Sequence, residues 1–240
     1  MLATLFIFAL VTAHAMEIPS YIRVCGRSDP NYDQCIVDNL NAVKYKICTG
    51  MPEFNVGPTE PIIIDKIVIY DTDSLKLYLR DAKLSGYCDF VVNSVHTDPD
   101  RLHFVIDITI KHFNMNVLYD FDIHVLVPLA NKGLAIITSD NVLFKLTLDF
   151  KVATKNGEKQ IYVSKANTNI NITSFKYEFD ESEKELVQLH QAISNVVDSN
   201  SEDIIRSVKS AAEKKISELV ILVVNNITRS NYEKLFPEKV

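Results

Sequence analysis

The clearest chemistry in this chain belongs to its four cysteines, Cys25, Cys35, Cys48 and Cys88. Thiols can bind a metal ion or pair as disulfides. The sequence contains neither a Cys-x-x-Cys pair nor His-Glu-x-x-His, so a metal site would lack its usual spacing. An even number of cysteines is typical of a disulfide-bonded secreted protein, in which four cysteines allow three pairings. We therefore expect structural cross-links, no bound metal and no cofactor.

Residues for catalysis do not assemble in the same way. The sequence has no Gly-x-Ser-x-Gly nucleophile elbow, and its six glycines form neither a phosphate loop nor a dinucleotide-binding fingerprint. Asp107, Asp120 and Asp122 alternate with apolar residues, which indicates the solvated face of strands and not an acid–base pair. His112 follows the apolar set of its strand, where an imidazole belongs to the core or contacts a ligand. We predict a binding protein and not an enzyme.

The charge balance argues against a nucleic-acid partner. Lys and Arg number 25 against 31 Asp and Glu, giving a formal net charge of −6, and no basic run occurs. Affinity for a phosphate backbone comes mainly from clustered Lys and Arg. The same lack of a basic cluster disfavours an anionic lipid headgroup.

Residues 1–15 have the pattern of a secretory signal peptide. Leu2 to Val11 are apolar, and Ala13-His14-Ala15 fits a small-residue cleavage site. The apolar run is too short to span a bilayer, which takes about 20 residues. We expect a secreted, extracellular protein with no membrane-inserted segment, in which residues 16–240 form a single domain.

Two sequons, Asn171-Ile-Thr173 and Asn226-Ile-Thr228, are candidate N-glycosylation sites. Asn226 lies near a predicted helix end and could be masked there. Both triplets are consistent with export, because this modification belongs to secreted proteins.

From Pro61 to Phe179 the apolar residues recur with a period of two, which predicts antiparallel strands with one packed and one solvated face. The large inward side chains are the candidate lining of a ligand pocket: Phe104, Ile106, Ile108, Tyr119, Phe121, Ile123, Phe144, Leu146 and Leu148. The same residues would point inward in a solid core, because alternation does not reveal volume. Tyr119 stands out, since a buried phenol needs a hydrogen-bond partner from backbone, water or ligand.

After Phe179 the apolar period changes to three and four, which predicts helix. Ser182-Glu-Lys-Glu185 and Ser199-Asn-Ser-Glu202 are capping boxes, so the helix begins at the first and kinks or restarts at the second. If continuous, it would be about 60 Å long, from roughly 40 residues at 1.5 Å each. A strongly curled sheet could wrap such a rod along its length. The pattern predicts an α+β fold, in which a highly curved antiparallel sheet wraps a long C-terminal helix. A shorter amphipathic helix carrying Cys35 is predicted to open at Asp29-Pro30.

Three groups of residues, in order along the chain, carry a family resemblance. The opening group comprises Ile-Pro-Ser-Tyr-Ile-Arg-Val-Cys-Gly-Arg-Ser-Asp-Pro-Asn (Ile18 to Asn31), Cys35-Ile, Gly50-Met-Pro-Glu and Glu60-Pro61-Ile. The second is Val127-Pro-Leu-Ala-Asn-Lys-Gly133, and the third is Tyr232-Glu-Lys-Leu-Phe-Pro-Glu238. Together they resemble the insect juvenile-hormone-binding and takeout family. Asn131 departs from the Gly that is usual there.

The resemblance implies an elongated tubular lipid-binding fold, whose sheet rolls around the helix and encloses an apolar pocket. It also implies a Cys25–Cys35 disulfide. Cys48 and Cys88 are then left over, and the family pattern does not require them to pair. They form either a second disulfide or two buried free thiols.

The function implied by the resemblance is a secreted carrier of a small hydrophobic ligand, either a juvenile-hormone-like terpenoid or a fatty-acyl lipid. The alternative is a secreted interaction or signalling protein with a filled interior, which acts through its surface on a receptor or another partner. The sequence does not separate these two hypotheses, because both require the same strands and helix.

Overall fold

The computed structural model describes residues 18–124, 128–155, 157–179, 187–229 and 231–240. The expected signal peptide, residues 1–15, lies outside the described residues. Within the described ranges, no helix is both long enough and apolar enough to cross a membrane.

Among the described residues, one α-helix precedes the sheet and three follow it. The helices are α1 (Tyr32–Thr49), α2 (Val187–Ser199), α3 (Ser201–Thr228) and α4 (Tyr232–Leu235), with 3₁₀ turns at Pro52–Phe54 and Tyr87–Asp89. The strands are β1 (Ile62–Asp71), β2 (Leu75–Ser85), β3 (Phe90–Asp98), β4 (His103–His124), β5 (Pro128–Lys155), β6 (Glu158–Asn171) and β7 (Lys176–Phe179). This is the predicted α+β order of a sheet followed by a long helical segment.

All the paired strands form one antiparallel sheet with the order β1-β2-β4-β5-β6. The whole of β4 pairs with residues 128–149 of β5. Each of these two strands has a second neighbour, which changes about halfway along the strand. The first half of β4 pairs with β3 and its second half pairs with β2. Likewise, β7 pairs with the first half of β5, and β6 pairs with the second half.

The exchange of neighbours divides the molecule into two ends. The α1 end consists of α1, β3, β6, residues 103–110 of β4 and residues 142–155 of β5. The β1 end consists of β1, β2, β7, residues 114–124 of β4 and residues 128–139 of β5. The described part of the helical segment runs along both ends, because Ile193 and Ile204 pack in the core of the β1 end and Val224 packs in that of the α1 end.

The sheet bends because several strands carry an extra residue. The pairing register shifts between Arg80 and Lys83 in β2 and between Asp149 and Phe150 in β5. Extra residues of this kind kink a strand and increase its local twist. The result is a curled, half-barrel sheet around the C-terminal helices, as the alternation of apolar residues and the length of the helical segment predicted.

Side chains of α3 occupy the free edge of β6. The Val163 N–H donates to Oδ1 of Asn225 at 2.7 Å, and the Asn225 amide donates back to the Val163 carbonyl at 3.3 Å. The Ile170 N–H donates to the Glu213 carboxylate at 2.7 Å. α3 also contacts β1, the strand at the other edge. The helix therefore closes the curled sheet and satisfies edge groups that would otherwise be free to pair with another chain.

Two of the three predicted helix starts differ in detail from the structure, and the third, the capping box Ser182–Glu185, lies outside the described residues. α3 restarts at Ser201, as the second capping box predicted, but Asn200 makes no side-chain cap hydrogen bond. α1 begins at Tyr32, and the Asp29 carboxylate accepts from the Asn31 N–H at 2.8 Å, before the helix. Asp29 therefore forms a turn ahead of α1 and is not its cap.

Candidate functional site

A cavity of about 320 Å³ lies mainly within the α1 end and reaches Ile62 of β1 and Leu84 of β2. Three groups of elements form most of its wall: the inner face of the sheet, the inner face of α1 and the C-terminal part of α3. The sheet contributes Val92 from β3 together with inward residues of β4 and β5. The α1 wall consists of Ile36, Asn39, Leu40, Val43 and Ile47, and the α3 wall runs from Ile216 to Thr228.

Six of the nine residues predicted to line a pocket line this cavity: Phe104, Ile106, Ile108, Phe144, Leu146 and Leu148. They alternate along the paired segments of β4 and β5, in which Phe104 faces Leu148 and Ile108 faces Phe144. The structure therefore brings together the predicted residues of two strands on one concave surface.

The other three candidates, Tyr119, Phe121 and Ile123, do not line this cavity. They lie on the second half of β4, at the β1 end. Phe121 is 1% exposed within the core there, and Ile123 packs against the same core. All three lie further along a strand of 22 residues, whose buried positions change from even to odd residue numbers between Ile110 and Met115.

Tyr119 has protein partners for its ring and its hydroxyl. The hydroxyl lies 3.2 Å from Nε2 of His190, and the ring packs edge-on against Phe179. Gly133 faces it across the strand pair, and a Cβ at that position would come within 2.6 Å of the Tyr119 hydroxyl. The polar partner expected for this buried phenol is supplied by a histidine.

The cavity wall is apolar, and among the described residues its polar side chains are Asn39, Thr59, Tyr87 and Thr228. Each of them hydrogen-bonds to protein backbone. Asn39 bonds to both the N–H and the carbonyl of Arg23, and Tyr87 donates to the Thr59 carbonyl. The Thr59 and Thr228 hydroxyls donate to the Ile47 and Val224 carbonyls at 3.2 and 2.8 Å.

Tyr87 is the ionisable side chain of this wall. Burial raises the pKa of Tyr87 to about 12. The phenol therefore stays protonated at physiological pH and remains the donor in that bond. A wall without charge and with its polar groups already paired favours an apolar molecule over a charged one.

Two disulfides hold the α1 wall in place, Cys25–Cys35 and Cys48–Cys88. The first joins the N-terminal arm to the start of α1, and the second joins the end of α1 to the 3₁₀ turn that contains Tyr87. The sulfurs of Cys48 and Cys88 lie close to the Glu60 carboxylate. Because both sulfurs are oxidised in one bond, they are not the thiolates that a metal ion would need.

Other residues that the sequence singled out lie outside the cavity. His112 was expected to point inward, which is wrong: its side chain is 79% exposed and hydrogen-bonds Asp140 at 2.7 Å. The sequon residue Asn171 is exposed at the end of β6, and Asn226 is exposed on α3.

The sequence prediction missed the two helical walls. The sequence predicted an amphipathic helix here, but amphipathicity does not reveal which element the apolar stripe faces. In the structure the stripe faces the cavity, with Ile36, Leu40, Val43 and Ile47. Phe90, next to the second disulfide, also lines the cavity.

The profile of the haemolymph juvenile hormone binding protein (JHBP) family matches residues 3–237. No curated protein matches the sequence significantly. Among solved structures, Takeout 1 of Epiphyas postvittana aligns with a TM-score of 0.68 and 14% identity, over 86% of this chain and 95% of that one. A lipopolysaccharide binding protein aligns with a TM-score of 0.48 and 10% identity, over 82% and 39% of the two chains. At 14% identity, the likeness to Takeout 1 shows a shared fold.

Proposed function

The chain belongs to the haemolymph juvenile hormone binding protein family, and we propose that it is a secreted carrier of one small hydrophobic ligand. The ligand class that we propose is a juvenile-hormone-like terpenoid or a fatty-acyl chain, held in the cavity at the α1 end. The observation that carries the proposal is the cavity wall, which is apolar and has its polar side chains hydrogen-bonded to backbone.

Affinity would come from removing apolar surface from water, at about 25 cal/mol per Å² before the ordering costs are subtracted. The wall has no charged group to hold a carboxylate, so the shape of the cavity and apolar contact would select the ligand. A volume of about 320 Å³ lies at the small end of the range for ligand sites in proteins, which supports a single-chain ligand over a lipid with two acyl chains.

The alternative, a surface-acting protein with a filled interior, is less well supported. The α1 end combines large inward side chains with space that they do not fill. We also propose that the site binds its ligand without transforming it. No Ser, Cys, His, Asp or Glu side chain is among the described residues of the wall, so it offers no nucleophile with an adjacent base.

Export from the cell is part of the proposal. Two disulfides support it, because such bonds persist in oxidising compartments. Residues 1–15 would act as the signal peptide and residues 16–240 as the domain that carries the ligand.

The test is to produce the protein through a secretory pathway, record its native mass, and then record the mass of whatever denaturation releases. We expect a stoichiometric apolar molecule, or saturable uptake of a fluorescent fatty-acyl or terpenoid probe by ligand-free protein. A clean protein mass together with no uptake of either probe would overturn the carrier and favour the surface-acting alternative.

A further inference from the structure

The two sequons lie in different structural settings, although the sequence presents them as equivalent. Asn171 is the last residue of β6, and residues 172–175 form an irregular segment before β7. Asn171 and Thr173 are exposed, whereas Ile172 between them packs against the core of the β1 end. The core contact of Ile172 holds the segment in place and leaves the two residues of the acceptor motif facing solvent.

No hydrogen bond joins the side chain of Asn171 or Thr173 to another described residue. The segment itself is fixed, because the Ser139 hydroxyl donates to the Ser174 carbonyl at 2.7 Å. The Asn171 amide nitrogen is therefore available to a modifying enzyme.

The second sequon lies within α3. The Asn226 amide donates to the Asn55 carbonyl at 3.0 Å, and Thr228 is 5% exposed with its hydroxyl donating to the Val224 carbonyl. Ile227 lines the cavity. A sugar on the Asn226 amide nitrogen would compete with its contact to Asn55. An enzyme reaching this triplet would also have to unwind the last turns of α3.

An apolar surface residue lies directly beside Asn171. Leu143 of β5 pairs with Asn171 of β6, and Leu143 is 47% exposed on the outer face of the sheet. Directly opposed residues on neighbouring antiparallel strands have their Cβ atoms about 5 Å apart. The first sugar residue attached to Asn171 would therefore lie over the Leu143 side chain.

We propose that Asn171 carries an N-linked glycan that shields Leu143, and that Asn226 stays unmodified. This rests on the proposed export, because only an exported chain meets the glycosylation machinery. The donor is a lipid-linked oligosaccharide pyrophosphate. Its bond between the sugar C1 and the pyrophosphate breaks, and the lipid pyrophosphate leaves with the electron pair. A new bond forms between C1 and Nδ2 of Asn171, and the amide loses one proton to a base.

The experiment expresses the full chain in insect cells and measures the intact mass before and after enzymatic removal of N-glycans. A parallel version has residues 1–15 replaced by an established secretory leader, so that occupancy is measured whatever those residues do. We expect one glycan, mapped to the peptide that contains Asn171. Asn171→Gln and Thr173→Ala should both abolish it, and the matched variant Asn226→Gln should retain it. A glycan on Asn226, or an unmodified Asn171 in exported protein, would overturn the assignment.

Shielding of Leu143 has its own readout. Removing the glycan from native protein should increase retention on a hydrophobic-interaction column, and it should do so less for Leu143→Thr. Equal increases would overturn the shielding. Uptake of the fatty-acyl probe is measured on the same samples. If Asn171 carries a glycan but the protein takes up no probe, only the carrier proposal is contradicted. If the protein takes up the probe but Asn171 is unmodified, only the glycan proposal is contradicted.

Discussion

The two ends of the molecule use the same sheet in different ways. β4 and β5 run through both ends with the same alternation of large apolar and polar residues, but the cavity lies at the α1 end. At the β1 end, Phe121 and Tyr119 are buried in the core, and α2 and the start of α3 pack against that core. At the α1 end the strands face α1 as well as α3, and the space among the three is not filled. The comparison teaches that the elements opposite the strands decide where the interior is hollow.

The cross-links follow the same division. All four cysteines are joined in two disulfides, and both disulfides fix α1 or its flanking segments. A wall that borders a cavity has fewer contacts to hold it than a wall in a solid core. Covalent attachment of α1 offsets that deficit.

The largest expected effect separates Phe121, which is fully buried in the core of the β1 end, from a phenylalanine at the cavity. Phe121→Ala should lower the free energy of unfolding by about 3–5 kcal/mol, because it creates a new void. The loss for Phe104→Ala should be smaller than that for Phe121→Ala by about 1 kcal/mol or more, because Phe104 already borders empty space. Urea unfolding measures both. Equal losses would show that the interiors of the two ends are packed alike.

Removal of the second disulfide should have the next largest effect. Cys48 and Cys88 are 40 residues apart, and opening a loop of that size should cost about 4 kcal/mol in the chain-entropy treatment. The comparison variant lacks the bond between Cys25 and Cys35, which are 10 residues apart, and should lose about 3 kcal/mol. Chemical denaturation of the two double Cys→Ser variants measures which of the two losses of stability is larger. Probe affinity should also fall in the first variant, since Ile47 and Tyr87 border that bond.

A matched pair of valines tests volume directly. Val92 of β3 borders the cavity, whereas Val117 of β4 lies in the core of the β1 end and does not border it; they are 3% and 2% exposed. Val117→Phe should destabilise the protein by about 1–3 kcal/mol through overpacking and leave probe affinity unchanged. Val92→Phe should keep most of the stability, since the ring enters empty space, and should weaken probe binding at least tenfold. If Val117→Phe weakened probe binding and Val92→Phe destabilised the protein instead, the binding site would lie at the β1 end.

The smallest effects come from carboxylates, each held between two cations. At the β1 end, Oδ2 of Asp120 lies 3.1 Å from Nε of Arg80 and 3.2 Å from Nζ of Lys132. Burial opposes its ionisation, but the two cations outweigh burial and lower its pKa below the ordinary 3.8. At the α1 end, hydrogen bonds from Lys159 and Arg27 lower the pKa of Glu233 below 4.5.

A carboxyl group with a lowered pKa stabilises the folded state above its unfolded pKa, and this contribution is lost as the pH falls through the folded value. At pH 7, Asp120→Asn should therefore cost about 1 kcal/mol, and Glu233→Gln less, because the 46% exposed Glu233 side chain is screened by solvent. Thermal unfolding measured from pH 7 to pH 2 should show that the difference in stability between the wild type and each variant shrinks below about pH 4. A difference that grew on acidification would contradict these ion pairs.

Much of the architecture could be predicted from local pattern. The alternation in β4 and β5 identified the inward residues, and the capping box at Ser199–Glu202 placed the interruption between α2 and α3 within a residue or two. These features depend on neighbours a few positions apart in the chain. The prediction for His112 failed because the buried positions of β4 change from even to odd residue numbers between Ile110 and Met115, which leaves the imidazole exposed beside Asp140 of β5.

The sequence by itself therefore determined most of the side chains that point into the interior, with His112 as an exception, since that direction depends on strand periodicity. Only the tertiary structure decided that six of the nine candidates line the cavity described above and that Tyr119, Phe121 and Ile123 are not in its lining. It also decided that Cys48 meets Cys88, and that one sequon lies at a strand end while the other lies within a helix. The physical reason is that empty volume, cross-link geometry and accessibility depend on how far apart packed elements stand, and periodicity along one element carries no information about that distance.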